Sequence, residues 1–266
     1  MKRTLALLLL TLLLSSHELF LKIDSHFLKP DSKAELYLYN GTFDESENVI
    51  TRDRIVNDKV IGPKFMLNPK KKDYYDKHNV TYLKFETGDA GTYVAGVSTL
   101  PNMIELTARE FKEYLEHEGL TDVLADREKT GKSNRPAKEK YSKHVKNILQ
   151  VGDRLTEHYN IELGYPIEFI PLENPYAKKV GDDISFKLLR SGNPVADQVV
   201  HYSFRSDSNK TSGAESSIRT NKDGIITIPI SKAGKWYIAT IHMVESSENG
   251  VDYESNWATL TFEIKE

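Results

Sequence analysis

One short stretch of the sequence occurs twice, and this repeat constrains the fold more than any other feature. Residues 90–98 read AGTYVAGVS and residues 233–242 read AGKWYIATIH, so the two match once one residue is inserted. Each copy closes a half of the chain in which short alternating apolar segments are separated by turn residues, the pattern of an antiparallel sandwich. A self-match at roughly 145 residues indicates a duplicated unit. We therefore expect a mainly β protein with two β-sandwiches, and the alignment places His242 opposite Ser98.

The stretch between the two halves has helical periodicity. Thr107-Ala-Arg-Glu110 is a capping box at the start of one predicted helix. Residues 121–129 predict a second helix and residues 137–149 a third. These boundaries predict four segments: a signal peptide at 1–16, an N-terminal β-sandwich at 17–105, a helical insert at 106–164 and a C-terminal β-sandwich at 165–266.

The first sixteen residues have the composition of a secretory signal peptide. Lys2 and Arg3 precede an apolar stretch at 5–14, and two serines follow it. A helix of about ten residues covers about 15 Å, half of the hydrocarbon core of a bilayer, so this stretch does not predict a membrane span. We expect cleavage between Ser16 and His17, a periplasmic or secreted location, and a mature chain that does not span a membrane.

Composition excludes several function classes. The 36 Lys and Arg residues are balanced by 39 Asp and Glu, and this net charge of −3 does not favour nucleic-acid binding. Cysteine is absent from the sequence, which excludes disulfides, thiolate catalysis and cysteine-based metal sites. The chain has no Walker loop, no His-Glu-x-x-His and no Gly-x-Ser-x-Gly, so we do not expect an enzyme.

Cleavage before His17 would create a chelating first residue. A terminal histidine offers an α-amine, with an ordinary pKa of about 7.7–8, and an imidazole, with an ordinary pKa of about 6.5, so a metal displaces the proton of either near neutral pH. Together with a second imidazole these nitrogens form a T-shaped set, the histidine brace, which suits Cu(II) or Ni(II). The sequence therefore makes His17 the first candidate metal ligand.

The second candidate ligand is His242. It is predicted to lie on a strand, on the same face as Trp236, and a run of carboxylates follows it. For His17 and His242 to bind one metal, the N-terminus must pack against the last strands of the second sandwich. Glu254 or His26 could then supply a fourth ligand.

Three other histidines have ordinary explanations in the sequence. His117 and His144 lie on predicted helices among charged residues, which is typical of a solvated helix face. His201 alternates with Ser203 inside a predicted strand and is expected to be a sheet residue.

Several segments resemble a known family over nearly the whole mature chain. The family consists of exported bacterial proteins with a domain of unknown function, and its members are often described as NikM-like nickel-uptake or cobalt/nickel transport accessory proteins. The resemblance implies a mature N-terminal histidine, matched by His17, and a His-Met pair, matched by His242-Met243, with a membrane metal transporter as the partner. It departs at Tyr253, where the family pattern has a tryptophan. The segments that carry it are 17–22 (HELFLK), 40–48 (NGTFDESEN), 52–54 (RDR), 141–152, 170–176, 241–243 and 254–262.

The second half is also similar to transthyretin-like, or carboxypeptidase-regulatory-like, sandwiches. The fold expected is therefore two Ig-like or transthyretin-like β-sandwiches with a short α-helical insert between them. Three functions remain open at this point. The first is capture of Ni, Co or Cu through His17 and His242, for uptake or homeostasis. The others are a non-catalytic module that binds protein or glycan, and a copper monooxygenase that uses the same brace.

Overall fold

The computed structural model describes residues 18–206 and 211–265. The predicted signal peptide and His17 lie outside the described residues. Two α-helices are found in the described part of the chain, α1 (Ala108–His117) and α2 (Thr121–Lys129). The strands are β1 (Glu18–Lys22), β2 (Phe27–Leu28), β3 (Lys33–Gly41), β4 (Ser46–Asn48), β5 (Ile55–Gly62), β6 (Phe65–Leu67), β7 (Tyr74–Lys77), β8 (Val80–Glu86), β9 (Gly91–Thr99), β10 (Asn102–Leu106), β11 (Ala137–Val151), β12 (Ile167–Pro171), β13 (Asp183–Arg190), β14 (Asn193–Pro194), β15 (Val199–Ser206), β16 (Thr211–Ser212), β17 (Ser216–Arg219), β18 (Ile225–Pro229), β19 (Gly234–Glu245) and β20 (Tyr253–Ile264).

A long central sheet runs through both halves of the molecule, in the order β16-β15-β19-β20-β11-β9-β5-β6. Its two middle strands, β11 and β20, run parallel, while their outer neighbours β9 and β19 pair with them in antiparallel fashion. The mainly β prediction is therefore confirmed. One strand from each half meets the other at the centre of the sheet.

The prediction of a third helix at 137–149 is wrong, because this segment is the central strand β11. Apolar residues at 141, 145, 148 and 149 fit helical spacing, but they also fit a strand that is buried on both faces. Ile148 belongs to the core of the C-terminal sandwich and its neighbour Leu149 to the core of the N-terminal one. Polar residues that are buried on this strand, such as Lys146 and Asn147, hid the strand pattern.

Two smaller sheets cover opposite faces of the central sheet, and this arrangement gives the two expected sandwiches. The sheet β1-β3-β8-β7 covers one face and the sheet of β12, β13, β14 and β18 covers the other. The N-terminal core contains Leu19, Leu21, Leu36, Leu38, Leu83, Phe85, Tyr93, Val145 and Leu149. The C-terminal core contains Phe169, Ile184, Phe186, Leu188, Ile226, Ile228, Trp236, Leu260 and Phe262.

The predicted capping box at the start of α1 is confirmed. Thr107 accepts a hydrogen bond from the backbone N–H of Glu110, whose carboxylate accepts one from the backbone N–H of Thr107. Phe111 and Leu115 are fully buried and pack against Trp257 of β20. Helix α1 therefore lies on the same face of the central sheet as β1.

The proposed equivalence of His242 and Ser98 is not supported by the strands. Tyr93 and Trp236, the aromatic residues of the two copies, each point into the core of their own sandwich. His242 lies six residues after Trp236 on a regularly paired strand, and therefore on the same face, whereas Ser98 lies five residues after Tyr93, on the opposite face. The two strands therefore align without the one-residue gap of the sequence alignment, and Ser98 is not the structural counterpart of His242.

Candidate functional site

His26 is a buried structural residue in the connection after β1. Its Nδ1 lies 3.2 Å from Glu263 Oε2, and its Nε2 lies 3.0 Å from Asn147 Nδ2. Burial lowers the pKa of His26. Both ring nitrogens already have partners, so the ring joins this connection to the central sheet.

His242 lies on β19 and pairs with Asn256 of β20, near the end of β20 that is far from Glu263. Among the residues that the structure describes, no hydrogen-bond partner is found for its buried Nδ1, and burial lowers the pKa of the imidazole. Glu254 is exposed two residues before Asn256 and shares its face of the sheet. Asn256 and the His26 partner Glu263 are seven residues apart on β20, a distance of roughly 23 Å along the strand, and they lie on opposite faces.

The structure therefore does not bring His26 and His242 together. Within residues 18–206 and 211–265, no three His, Asp or Glu side chains form a group that could hold a metal ion. His17, the first candidate ligand, lies outside the described residues, so its pairing with His242 stays a prediction.

A cavity of about 400 Å³ opens beside Glu18, the first described residue. It forms where the start of β1 meets the end of α1, alternate residues of β15 and Tyr237 near the start of β19. We call it the Glu18 cavity. It is lined by Glu18, Phe20, Gly41, Thr42, Phe43, Asp44, His117, Glu118, His201, Ser203, Arg205, Gly213, Glu215 and Tyr237.

Each of the two imidazoles in the Glu18 cavity is paired with a carboxylate through Nδ1. The distance from His117 Nδ1 to Glu118 Oε1 is 2.9 Å, and that from His201 Nδ1 to Glu215 Oε1 is 3.3 Å. Tyr237 donates a hydrogen bond of 2.7 Å to the other oxygen of Glu215. These hydrogen bonds raise the pKa of His117, raise the pKa of His201 to about 9 and lower the pKa of Glu215.

Three glutamate carboxyl groups lie at the end of the cavity that holds the imidazoles. Burial, together with the carboxylates of Glu118 and Glu215, raises the pKa of Glu18 to about 8. At the other end, Arg205 forms a two-pronged ion pair with Asp44, with nitrogen to oxygen distances of 2.8 and 2.7 Å. That pair is neutral overall, and at the imidazole end the carboxylates of Glu118 and Glu215 face His117 and His201.

Three aromatic rings, those of Phe20, Phe43 and Tyr237, form an aromatic wall on one side of the cavity. The ring centroids of Phe43 and Tyr237 are 4.8 Å apart in a stacked arrangement, and the Phe20 ring meets both rings edge-on at 5.2 Å. This wall packs β1 against the central sheet and thereby fixes the direction in which Glu18 points.

A family model described as a domain of unknown function, DUF4198, matches residues 14–244. The chain belongs to this family. The DUF4198 match includes every residue of the Glu18 cavity and ends before Glu254. No curated protein matches the chain.

Some solved structures resemble the chain weakly. The D0-D1 domain of intimin has 12% identity, covers 92% of this chain and 97% of its own and gives a TM-score of 0.23. A trypsin-activated alpha-2-macroglobulin from Escherichia coli has 9% identity and a TM-score of 0.24; the match covers 93% of this chain but only 16% of the macroglobulin. The adhesin InvE of Yersinia pseudotuberculosis has 13% identity and a TM-score of 0.24, with 91% of this chain and 58% of the adhesin covered. TM-scores this low do not assign the chain to the fold of any of these proteins, and the DUF4198 fold is defined here by its own three sheets.

Sequence reasoning missed the Glu18 cavity because its residues come from separate segments. Among them, only the adjacent pair His117-Glu118 and the alternation of His201 with Ser203 on β15 leave a local trace. Neither trace indicates that the end of α1 meets β15 beside Glu18.

Among the described residues, no helix is both long and apolar enough to cross a bilayer.

Proposed function

We propose that this DUF4198 protein captures a divalent transition metal, Ni, Co or Cu, in the Glu18 cavity, with the α-amine and the imidazole of His17 as two of the ligands. The observation that carries the proposal is that the cavity which Glu18 lines also contains His117 and His201 with their partner carboxylates Glu118 and Glu215. These described side chains do not form a metal site by themselves, and in the proposal His17 completes one. In the processed chain that we propose, His17 precedes Glu18 directly, and consecutive Cα atoms are about 3.8 Å apart. The chelating nitrogens of a first residue would thus be tethered to this cavity.

The proposal takes the second imidazole from the cavity and not from His242. Glu18 belongs to β1, which packs on the face of the central sheet that carries Tyr237 and Thr259. His242 shares the opposite face with Trp236, inside the other sandwich. A brace of His17 with a cavity imidazole therefore needs no crossing of the sheet.

The donor set favours borderline divalent metals. Imidazole and amine nitrogens suit Cu, Ni, Co and Zn, and the cavity lining contains neither methionine nor cysteine, the ligands that favour Cu(I). Cu(II) should bind most tightly by the usual affinity order, whichever metal is the cargo. Transfer to a membrane metal transporter, for uptake or homeostasis, completes the proposal.

Metal titration of two forms of the chain tests this function. One form begins at His17, and the matched control carries one additional alanine before His17. The alanine converts the chelating amine into an amide but leaves every imidazole in place. We expect Cu(II), Ni(II) and Co(II) to bind the first form at least about tenfold more tightly, and equal affinities would refute the role of the amine.

A further inference from the structure

Exposed apolar side chains cluster on strand β10 and just before it. Seven large apolar side chains are exposed in the described part of the chain, and three of them lie within five consecutive positions. These are Leu100, Met103 and Ile104, with 46%, 40% and 39% of each residue exposed. Single exposed apolar residues are ordinary on a protein surface, whereas a group of them marks an interaction site. Strand β10 therefore has the side chains of a contact surface.

Strand β10 is also paired on one edge only. Its residues 102–106 pair in antiparallel fashion with residues 137–141 of β11. On the other side β5 pairs with β9, and this pairing ends where the N–H of Leu100 donates to the carbonyl of Arg54. Within residues 18–206 and 211–265, no strand pairs with the other edge of β10. A free edge of this kind is a template for a further strand.

The backbone groups of Met103 and Glu105 point to this free edge. Residues 139–141 of β11 pair with both β10 and β20, so these two strands lie on opposite edges of β11. At the β20 edge, the N–H of Lys138 donates to the Asp252 carboxylate, and its carbonyl accepts from the Asp252 N–H. Glu105 and Lys138 therefore form a non-hydrogen-bonded pair, so the N–H and C=O of Glu105 point away from β11. Because these directions alternate along a strand, the same holds for Met103.

We infer that β10 pairs with β10 of a second copy of this chain, in antiparallel fashion about a two-fold axis at Ile104. In this register Met103 lies opposite Glu105 of the second copy, so the outward N–H and C=O groups of both strands bond one another. An axis at Met103 would instead place Glu105 opposite Pro101, which has no N–H. An axis at Glu105 would place two carboxylates opposite each other. The central sheets of the two molecules become continuous through β10.

The side chains fit the same register. At the axis Ile104 meets Ile104 of the second copy in a non-hydrogen-bonded pair, the closer of the two pair types. On the other face Glu105 lies between Lys138 of its own sheet and Met103 of the second copy, so no like charges are opposite. A strand of 5 residues buries less area than the roughly 1,200 Å² of a stable interface, and we expect a weak, reversible dimer. No residue of β10 lines the Glu18 cavity, so the dimer is independent of the proposed metal function.

Disulfide cross-linking tests the position of the axis, because the sequence contains no cysteine. In a non-hydrogen-bonded antiparallel pair the Cα atoms are about 4.5 Å apart, which lies within the range of about 4.4–6.8 Å that a disulfide spans. We expect Ile104→Cys to form a covalent dimer under mild air oxidation at least about tenfold faster than Met66→Cys. Met66 is the matched control, since it is 67% exposed on the edge strand β6. Equal rates for the two variants, or no cross-link in Ile104→Cys, would overturn the inference.

Proline substitution tests the backbone bonds. Met103→Pro removes an N–H that points away from β11, so the pairing within the molecule is kept. Met103→Val changes the same side chain but keeps the N–H, and we expect it to dimerise like the wild type. Small-angle X-ray scattering over a dilution series up to about 1 mM, without metal, measures the dissociation constant of each dimer.

We expect the dissociation constant of Met103→Pro to exceed that of the wild type at least about tenfold. The melting temperature of the dilute protein shows whether the proline variant is folded. If it is not, the cross-linking comparison decides the inference. A wild-type chain that stays monomeric over the whole series, or a folded proline variant with the wild-type constant, would refute the pairing of β10 with a second copy.

Discussion

Lys146 and Glu168 form an ion pair that is closed off from solvent between the central sheet and the C-terminal sheet. Nζ lies 2.8 Å from Oε2, and the two side chains are only 1% and 3% exposed. The Glu168 carboxylate also accepts hydrogen bonds from the backbone N–H groups of Leu163 and Gly164. The pair thus joins β11 to the loop that leads into the second sandwich.

Removal of the cation from this pair should be costly. Lys146→Met leaves the Glu168 carboxylate buried without its partner, and we expect a loss of about 3–5 kcal/mol in the free energy of unfolding, measured with urea. Lys140→Met is the matched control on the same strand, because Lys140 is paired with the exposed Glu248, and it should change stability little. Similar losses in the two variants would contradict the importance of burial.

Asn147 distinguishes a central strand from a surface helix at this segment. Its side chain is fully buried and donates a 3.0 Å hydrogen bond to the carbonyl of Leu21 and a 2.6 Å bond to Thr261. Asn147→Ala should therefore cost about 1–3 kcal/mol in urea unfolding, because buried polar groups lose their partner. The exposed residue Asn102 is the control, and an equally small effect at both positions would argue against the central strand.

The pH dependence of stability reports on the ion pair between His201 and Glu215. The hydrogen bond to Glu215 raises the pKa of His201 to about 9, from an ordinary value of about 6.5 in the unfolded chain. Its stabilising contribution is therefore fully present below about pH 6.5 and is lost as the pH rises through about 9. The difference in unfolding free energy between wild type and His201→Gln should shrink over that range. A difference that does not vary with pH would contradict the ion pair.

The sequence allowed the sheet-rich fold to be predicted, but it did not reveal the site. Alternation in β3 and the capping box at Thr107 are local signals, and both predicted the correct elements. The helix predicted at 137–149 failed because a strand buried on both faces loses its two-residue period. The Glu18 cavity depends on tertiary packing, since His117 and His201 are 84 positions apart in the sequence (201 minus 117) and meet only where β15 passes the end of α1.

Thermal unfolding separates the metal function from the alternative of a non-catalytic interaction module. A metal that binds only the folded state at a concentration of 100 Kd adds about 2.7 kcal/mol of stability. For a chain of this size that corresponds to a rise in Tm of about 5–10 °C. We expect this rise with Cu(II) or Ni(II) for the chain that begins at His17, a smaller rise for the form extended by alanine, and none with Mg²⁺, which prefers oxygen ligands. An unchanged Tm at saturating metal would favour the interaction module, because a binder of protein or glycan gains nothing from a metal at this cavity.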